Sequence, residues 1–417
     1  MRLLCLSNGH GEDVIAVKIL QQLQKQSEDK LHIYALPLVG EGRAYTQLDI
    51  PIIGDAKTMP SGGFIYMDSK QAINDIKSGL LKLTANQLTS IKKWSEYGGK
   101  ILAVGDIVPL LFAWLSGLNY AFVGTAKSEY YIRDEEGILP RKKFTEKMES
   151  YTGSVYLPWE RFLMLDQRCQ GVFARDKLTT DILHNWYIPA YNCGNPMMDD
   201  IQLDLPAKNE EENRFLTITL LPGSRPPEAY ENWQLILKSV QSVKAEFTGQ
   251  NVVFVAAIAS NLDLNLLQEF AEKADWKLGK EQKILTDEKA IIYHQEKASL
   301  IISQNAYAEC LNLGDFAIAM AGTATEQFIG LGKAAIGIPG QGPQYNYTFA
   351  EAQNRLLGPS LILVHEPEKV GGVIKSLLGD PDRLQLIAEN GKKRMGLPGS
   401  AAKIAAYLLE KFNPFSM

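Results

Sequence analysis

Phe215-Leu216-Thr217-Ile218-Thr219-Leu220-Leu221-Pro222-Gly223-Ser224-Arg225 reads as a strand followed by a glycine turn. Its first part is apolar and β-branched, the pattern of a strand buried on both faces. A Gly-Ser-Arg turn follows, and from Tyr230 to Phe247 the apolar residues fall at helical spacing. Further along, Phe316-Ala317-Ile318-Ala319-Met320 repeats the arrangement and runs into Ala321-Gly322-Thr323-Ala324-Thr325-Glu326-Gln327. Gly322 lets backbone N–H groups approach a ligand before a helix of small residues. A helix N-terminus behind such a turn is an anion seat. Two seats in one domain suit a nucleotide diphosphate.

Around these segments the second half alternates short apolar runs with helical ones: VVFVAAIA, IIYHQ, LIISQ, AAIGIP and LILV. The first half does the same with LLCLS, HIYALPLVG, ILAVG and Gly171-Val172-Phe173-Ala174. This is βαβ logic, and it predicts an α/β chain with two doubly wound Rossmann-like domains. From Gln202 to Arg214 the sequence turns polar and acidic, which suits a linker. We therefore expect a first domain over residues 1–200, a linker over 201–213 and a second domain over 214–398. The amphipathic stretch Ala401 to Phe412 forms a terminal helix within 399–417, with Ile404, Ala405, Leu408 and Leu409 on its apolar face.

The 417 residues are 46% hydrophobic and 22% charged, values of a folded globular protein. A formal net charge of −5 gives no basic footprint, so nucleic acid is not an expected partner. Cys5, Cys169, Cys193 and Cys310 are scattered and read as reduced thiols, and no signal-peptide pattern opens the chain. A cytoplasmic protein is expected. Ile101 to Gly124 approaches the length of a membrane span, but Asp106, Pro109 and Asn119 divide it into strand, helix and strand.

In such a fold ligands bind beyond the carboxyl ends of the strands, so an interdomain cleft is the expected site. Arg225 offers a forked donor to a pyrophosphate beside Gly223 and Ser224. Gly322, Thr323, Ala324 and Thr325 supply the second seat, and Glu326 or Gln327 a ribose contact. Gln341, Gln344 and Asn346, in a loop dense in amides and aromatics, suit sugar hydroxyls. In the first domain His10, Glu12 and Asp13 follow the first strand, and Asp106 follows ILAVG. A histidine and carboxylates there suit general acid and base catalysis. Asp13 and Asp106 also suit helix N-caps, Arg225 a plain surface turn, and Glu326 the helix dipole. Histidines and acids show no spacing for a metal, and Asp380-Pro381-Asp382 reads as a turn.

Six landmarks carry a resemblance over both domains: Asp13 opening its helix, Gly105-Asp106, Leu157-Pro158-Trp159-Glu160, Gly194-Asn195-Pro196-Met197-Met198-Asp199, Leu221-Pro222-Gly223-Ser224-Arg225 and Gly322-Thr323-Ala324-Thr325. In this order they resemble the lipid-A-disaccharide synthases and proteins related to them. The resemblance implies a GT-B fold and an inverting, metal-independent glycosyltransferase that needs no cofactor beyond its UDP-sugar donor. It implies transfer of an (acyl)glucosamine-type sugar to a lipid or glycolipid acceptor. UDP would lie on the C-terminal domain, the acceptor on the N-terminal one, and the terminal helix would cross back to the latter. The helix acid of that family falls on Gln327, with Glu326 one place early.

The segment Phe122-Val123-Gly124-Thr125-Ala126-Lys127-Ser128-Glu129-Tyr130-Tyr131 departs from the family. His10 and the loop around Gln344 and Asn346 look more like the peptidoglycan GlcNAc transferase that acts on lipid I. Two alternatives share the fold expectation: a UDP-GlcNAc 2-epimerase-like enzyme, and a UDP-sugar-binding protein without turnover. A lipid acceptor would bring peripheral contact with the inner face of the membrane. Phe122, Tyr130, Tyr131 and Ile132 with Arg133, Arg141, Lys142 and Lys143 have a composition for that contact.

Overall fold

A computed structural model describes residues 1–28, 30–56, 80–140, 151–203, 215–279 and 284–412. The chain divides into two compact units, Met1–Asp199 with Pro398–Met417, and Asp200–Leu397. Residues 204–213 of the expected linker and the basic Arg141, Lys142 and Lys143 lie outside the described residues.

The first unit runs β1 (Arg2–Ser7), α1 (His10–Gln26), β2 (His32–Pro37), α2 (Arg43–Thr46), α3 (Leu80–Ser95), β3 (Lys100–Gly105), α4 (Ile107–Leu115), β4 (Asn119–Gly124), α5 (Pro158–Met164), β5 (Cys169–Phe173), α6 (Lys177–His184) and β6 (Ala190–Tyr191). Its sheet has the order β2-β1-β3-β4-β5-β6, every pair parallel. Strand residues are apolar on both faces because both faces are covered. Leu3 and Cys5 pack with Ile15, Ile19 and the C-terminal helix residues Ala401, Ile404, Leu408 and Phe412. Leu4, Leu6, Ile101 and Ala103 point the other way, into a core with Ile91, Trp94, Leu110 and Phe112. The C-terminal helix (Ser400–Phe412) is fixed at its start, where the Asp199 carboxylate accepts from the backbone N–H groups of Gly399, Ser400 and Ala401. Ile101 to Gly124 forms β3, α4 and β4 as expected, and no helix among the described residues is long and apolar enough to cross a membrane.

The second unit runs β7 (Phe215–Leu221), α7 (Glu228–Glu246), β8 (Asn251–Ala257), α8 (Leu264–Lys273), β9 (Lys277–Leu278), β10 (Ile291–Gln295), β11 (Ala298–Ser303), α9 (Tyr307–Leu313), β12 (Phe316–Ala319), α10 (Thr323–Gly330), β13 (Ala334–Gly337), α11 (Tyr347–Leu357), β14 (Leu361–Leu363), α12 (Val370–Leu378) and α13 (Pro381–Met395). The strand order is β14-β13-β12-β7-β8-β11-β10-β9. Leu216, Ile218 and Leu220 pack under Trp233, Ile236 and Val240 of α7, and each such fully buried side chain contributes about 1.5–3 kcal/mol.

The sequence reading misses three local features. IIYHQ and LIISQ are not two parallel strands: β10 and β11 form an antiparallel hairpin around Glu296-Lys297, where Glu296 adopts φ 57°. Tight two-residue hairpin turns need positive φ, which glycine or asparagine usually advertises and glutamate does not. Asp380-Pro381-Asp382 opens α13 instead of ending in a turn, because the Asp380 carboxylate accepts from the N–H of Arg383 and proline suits the first helical position. Asp13 does not cap α1: Gly9 holds that position, and Asp13 lies inside the first turn.

Candidate functional site

In the first unit the chain leaves β1 for β2 on one side and later returns through β3 on the other. The loops after β1 and β3 therefore splay apart at the sheet's switch point, where α/β sheets hold ligands. Asn8 comes from the first loop, Glu12 and Asp13 from the first turn of α1 that follows it, and Asp106 from the second loop. Gly105 has φ 135°, and a Cβ there would press at 3.3 Å on both Glu12 Cγ and Pro109 Cγ and at 3.5 Å on Asn8 Cβ. Glycine is what lets the two loops close on each other.

The carboxyl groups gathered there have distinct partners. Asp106 accepts at Oδ1 from the Val108 N–H at 2.9 Å, so it does cap α4, and it also accepts from the Asn8 side chain. Burial pushes its pKa up to about 6; the two hydrogen bonds and Lys127 pull down, and Glu160 pushes up. Asp13 accepts from Ser7 Oγ at 2.5 Å, Ser7 Oγ accepts from Tyr45 Oη at 2.6 Å, and all three are buried. Burial raises Asp13 to about 6. Glu12 rises to about 7, through burial first and then the nearby charges of Asp106 and Asp13. Its Oε1 faces Thr125 Oγ1 at 3.4 Å. Beyond β4, Lys127 Nζ donates to Glu160 Oε2 at 2.6 Å and to the Val155 carbonyl. His10 opens α1, and its side chain lies outside the described residues. Burial thus raises all three carboxyl groups at this strand edge, Asp106 and Asp13 to about 6 and Glu12 to about 7, and shifted groups gathered in this way mark a candidate acid–base site.

In the second unit the switch point lies between β7 and β12. The turns after them are tied together: Met320 N donates to the Leu221 carbonyl at 2.8 Å, and Asn232 Nδ2 donates to the carbonyls of Pro222 at 3.0 Å and Met320 at 3.4 Å. Ser224 and Arg225 are exposed at this edge, and the Ser224 carbonyl accepts from Asn261 Nδ2. The helix α10 begins at Thr323 with no side-chain hydrogen bond at its N-cap, Gly322, and Thr323 is exposed. A helix N-terminus without a side-chain cap presents backbone donors and positive partial charge outward. The edge can hold an anion.

Three further residues of the expected nucleotide and sugar set are engaged by the fold itself. Thr325 Oγ1 donates to the Ala321 carbonyl at 2.5 Å, and Gln327 Oε1 accepts from Tyr307 Oη at 2.5 Å. Glu326 and Gln327 are both buried, one turn into α10. Asn346 caps α11, its Oδ1 accepting from the Phe349 N–H at 3.0 Å. In the same loop Gln341 is exposed and Gln344 half-buried.

The sequence alone gives no site role to Ser7, Tyr45, Thr125, Lys127, Glu160, Glu228, Asn232 and Gln353. A polar Ser7 closing an apolar strand was the available signal for the Asp13 pair; Tyr45 had none. Most of the apolar residues proposed for membrane contact do not face outward, and Tyr131 is half-buried against the core. Phe122, Tyr130 and Ile132 are in the core, and Arg133 pairs with the buried Glu129 at 2.8 Å. Among the described residues no group of three or more His, Cys, Asp or Glu side chains is arranged to hold a metal ion.

No protein-family model matches the sequence, and no curated protein sequence matches it significantly. Solved structures match along nearly the whole chain. UDP-GlcNAc 2-epimerase from Neisseria meningitidis, bound to UDP-GlcNAc, is 14% identical with a TM-score of 0.56, over 99% of this chain and 100% of that one. MnaA from S. aureus, in complex with UDP, is 12% identical with a TM-score of 0.58, over 100% and 98%. MurG from Acinetobacter baumannii is 13% identical with a TM-score of 0.53, over 97% and 98%. At such identities the likeness is one of fold, two Rossmann-like units of the GT-B type. It lends no specific support to the resemblance with lipid-A-disaccharide synthases.

Proposed function

We propose that the protein is an enzyme acting on a UDP-activated N-acetylglucosamine-type sugar, with UDP held by the second unit and proton transfer supplied by the carboxyl groups of the first. The observation that carries this reading is the trio Glu12, Asp13 and Asp106, gathered at a switch point and raised to between about 6 and 7. The fold shared with UDP-GlcNAc 2-epimerases and with MurG supports the choice of substrate. In this reading Arg225 and the start of α10 take the diphosphate, and Glu326 or Gln327 is the candidate for the ribose.

Of the chemistries open to such a site, 2-epimerisation ranks first. A base removes the proton on C2 while the C1–O bond to UDP breaks, and an acid returns a proton to the opposite face as that bond re-forms. The reaction needs one carboxylate and one carboxylic acid at the same pH, and groups raised to about 6 and about 7 supply both forms. Asp106 is the base in this scheme and Glu12 the acid, with the charge of Asp13 helping to keep Glu12 protonated.

Transfer to a lipid or glycolipid acceptor is the second reading, and a specific surface favours it. Leu111 and Leu115 of α4 are exposed near Trp159 and Phe162 of α5 and Leu165 just beyond, with Trp114 and Phe162 in edge-to-face contact at 6.4 Å. This apolar strip starts on the helix that Asp106 caps. Incubation with UDP-GlcNAc alone in deuterated water, followed by proton NMR, separates the readings. An epimer labelled at C2 supports the first; UDP release that requires an added lipid acceptor supports the second. Binding of UDP with neither product leaves a UDP-sugar-binding protein and overturns both.

A further inference from the structure

We infer that Glu228 is a positioning residue which, through Tyr345 and Gln353, holds the three strand-end loops of the second unit as one donor-binding surface. The inference rests on the reading that this unit holds a UDP-sugar. Glu228 opens α7 immediately beyond Arg225 and is buried. Its carboxylate accepts from the N–H of Tyr345 at 2.6 Å and from the N–H of Gln344 at 3.1 Å. Both donors belong to the loop after β13. The loop folds tightly over the acid: a Cβ at Gly342 would lie 2.3 Å from the Glu228 carboxyl carbon. Gly340 N donates to the Tyr345 carbonyl at 2.9 Å and closes the loop on itself.

The connection continues to the turn after β12. Tyr345 is buried, and its hydroxyl donates to Gln353 Oε1 at 3.3 Å. Gln353, also buried, donates from Nε2 to the carbonyls of Gly322 at 3.0 Å and Ala321 at 3.3 Å. One turn along α7 from Glu228, Asn232 ties the Pro222 and Met320 carbonyls. Glu228 and Asn232 are spaced i, i+4 and so share one helix face. A carboxylate that accepts two backbone N–H groups makes charge-assisted bonds, stronger than neutral ones. The phosphate turn, the sugar loop and the start of α10 are thus connected by buried side chains that need touch no ligand themselves.

The role predicts a loss weighted toward the sugar, because the first link to fail is the loop bearing Gln341 and Gln344. In Glu228→Ala, amide hydrogen exchange at Gln344 and Tyr345 should quicken at least about tenfold without ligand, while α8 and β8 keep their protection. UDP-GlcNAc affinity by calorimetry should fall about tenfold and UDP affinity less than about threefold. Glu228→Gln keeps one acceptor oxygen and should fall between. Tyr345→Phe, which cuts only the link to Gln353, should quicken exchange at the start of α10 and leave Gln344 protected. Unchanged exchange at Gln344 and Tyr345, or equal losses for UDP and UDP-GlcNAc, overturns the positioning role while wild-type binding upholds the donor reading. Wild-type protein that binds neither ligand overturns the donor reading and this role with it.

Discussion

The carboxyl ends of the two sheets occupy the same topological position and carry opposite chemistry. In the first unit the ends of β1 and β3 bring together acids that each have their own hydrogen-bond donors and whose pKa values burial raises. In the second, the loops after β7 and β12 present glycine, an exposed arginine and a helix start without a side-chain cap, while the acid beside them, Glu228, is turned inward to hold a loop. A doubly wound sheet supplies a place where loops separate. What that place can bind or exchange depends on a few residues just past the strand ends.

The largest effect is expected from Asp106→Asn. Asparagine caps helices as well as aspartate does, so the Val108 N–H keeps its partner and α4 its start. What disappears is the proton acceptor, and turnover of a UDP-sugar should fall by roughly 10² to 10⁴ with UDP affinity unchanged. Turnover within a factor of two of wild type removes Asp106 from the base role. Arg225→Ala should do the converse. Hydrogen bonds to charged groups are worth about 1.5–3 kcal/mol, so UDP should bind about 10- to 100-fold more weakly by calorimetry. Wild-type UDP affinity in that variant would sink the division of labour between the units.

A pH profile tests the first unit more finely. With Asp106 the base and Glu12 the acid, kcat should rise as pH passes about 6, where the base ionises, and fall as it passes about 7, where the acid is lost. Glu12→Gln should flatten the alkaline limb and leave the acidic limb in place. A profile level from pH 5 to 8 breaks the assignment of paired roles.

The architecture was legible because its signals are local. Buried parallel strands are continuous apolar runs, and FLTITL, FAIAMA and ILAVG each appear as strands close to where the letters put them. Positions such as Asp106 and Arg225 were legible because they follow those runs directly. What stayed hidden was non-local. The Glu228 contact spans 117 residues to Tyr345, and the Thr125 approach to Glu12 spans 113. Nothing in a neighbourhood of either sequence position marks its partner. The aromatic residues at 122, 130 and 132 misled for the same reason: composition beside basic residues suggests a surface, and only packing shows that they fill the core.

The smallest predicted effect bears on stability and comes from Glu12. Its pKa rises from the ordinary 4.5 to about 7 on folding, so between those values the folded chain keeps a proton that the unfolded chain has released. Stability from this group is therefore full below about pH 4.5, declines as pH rises through the window, and is gone above 7. Glu12→Gln copies the protonated form at every pH. Because Glu12 is only partly buried by its side-chain surface, the gain is discounted to about 1 kcal/mol, or roughly 2–4 °C in Tm at pH 8, with no gain at pH 4. Differential scanning calorimetry at the two pH values reads it. A lower Tm for the variant at pH 8 would mean that a partner stabilises the ionised Glu12; the first unit's loops would then be holding charge, as the second unit's do, and the contrast between the two strand edges would fail.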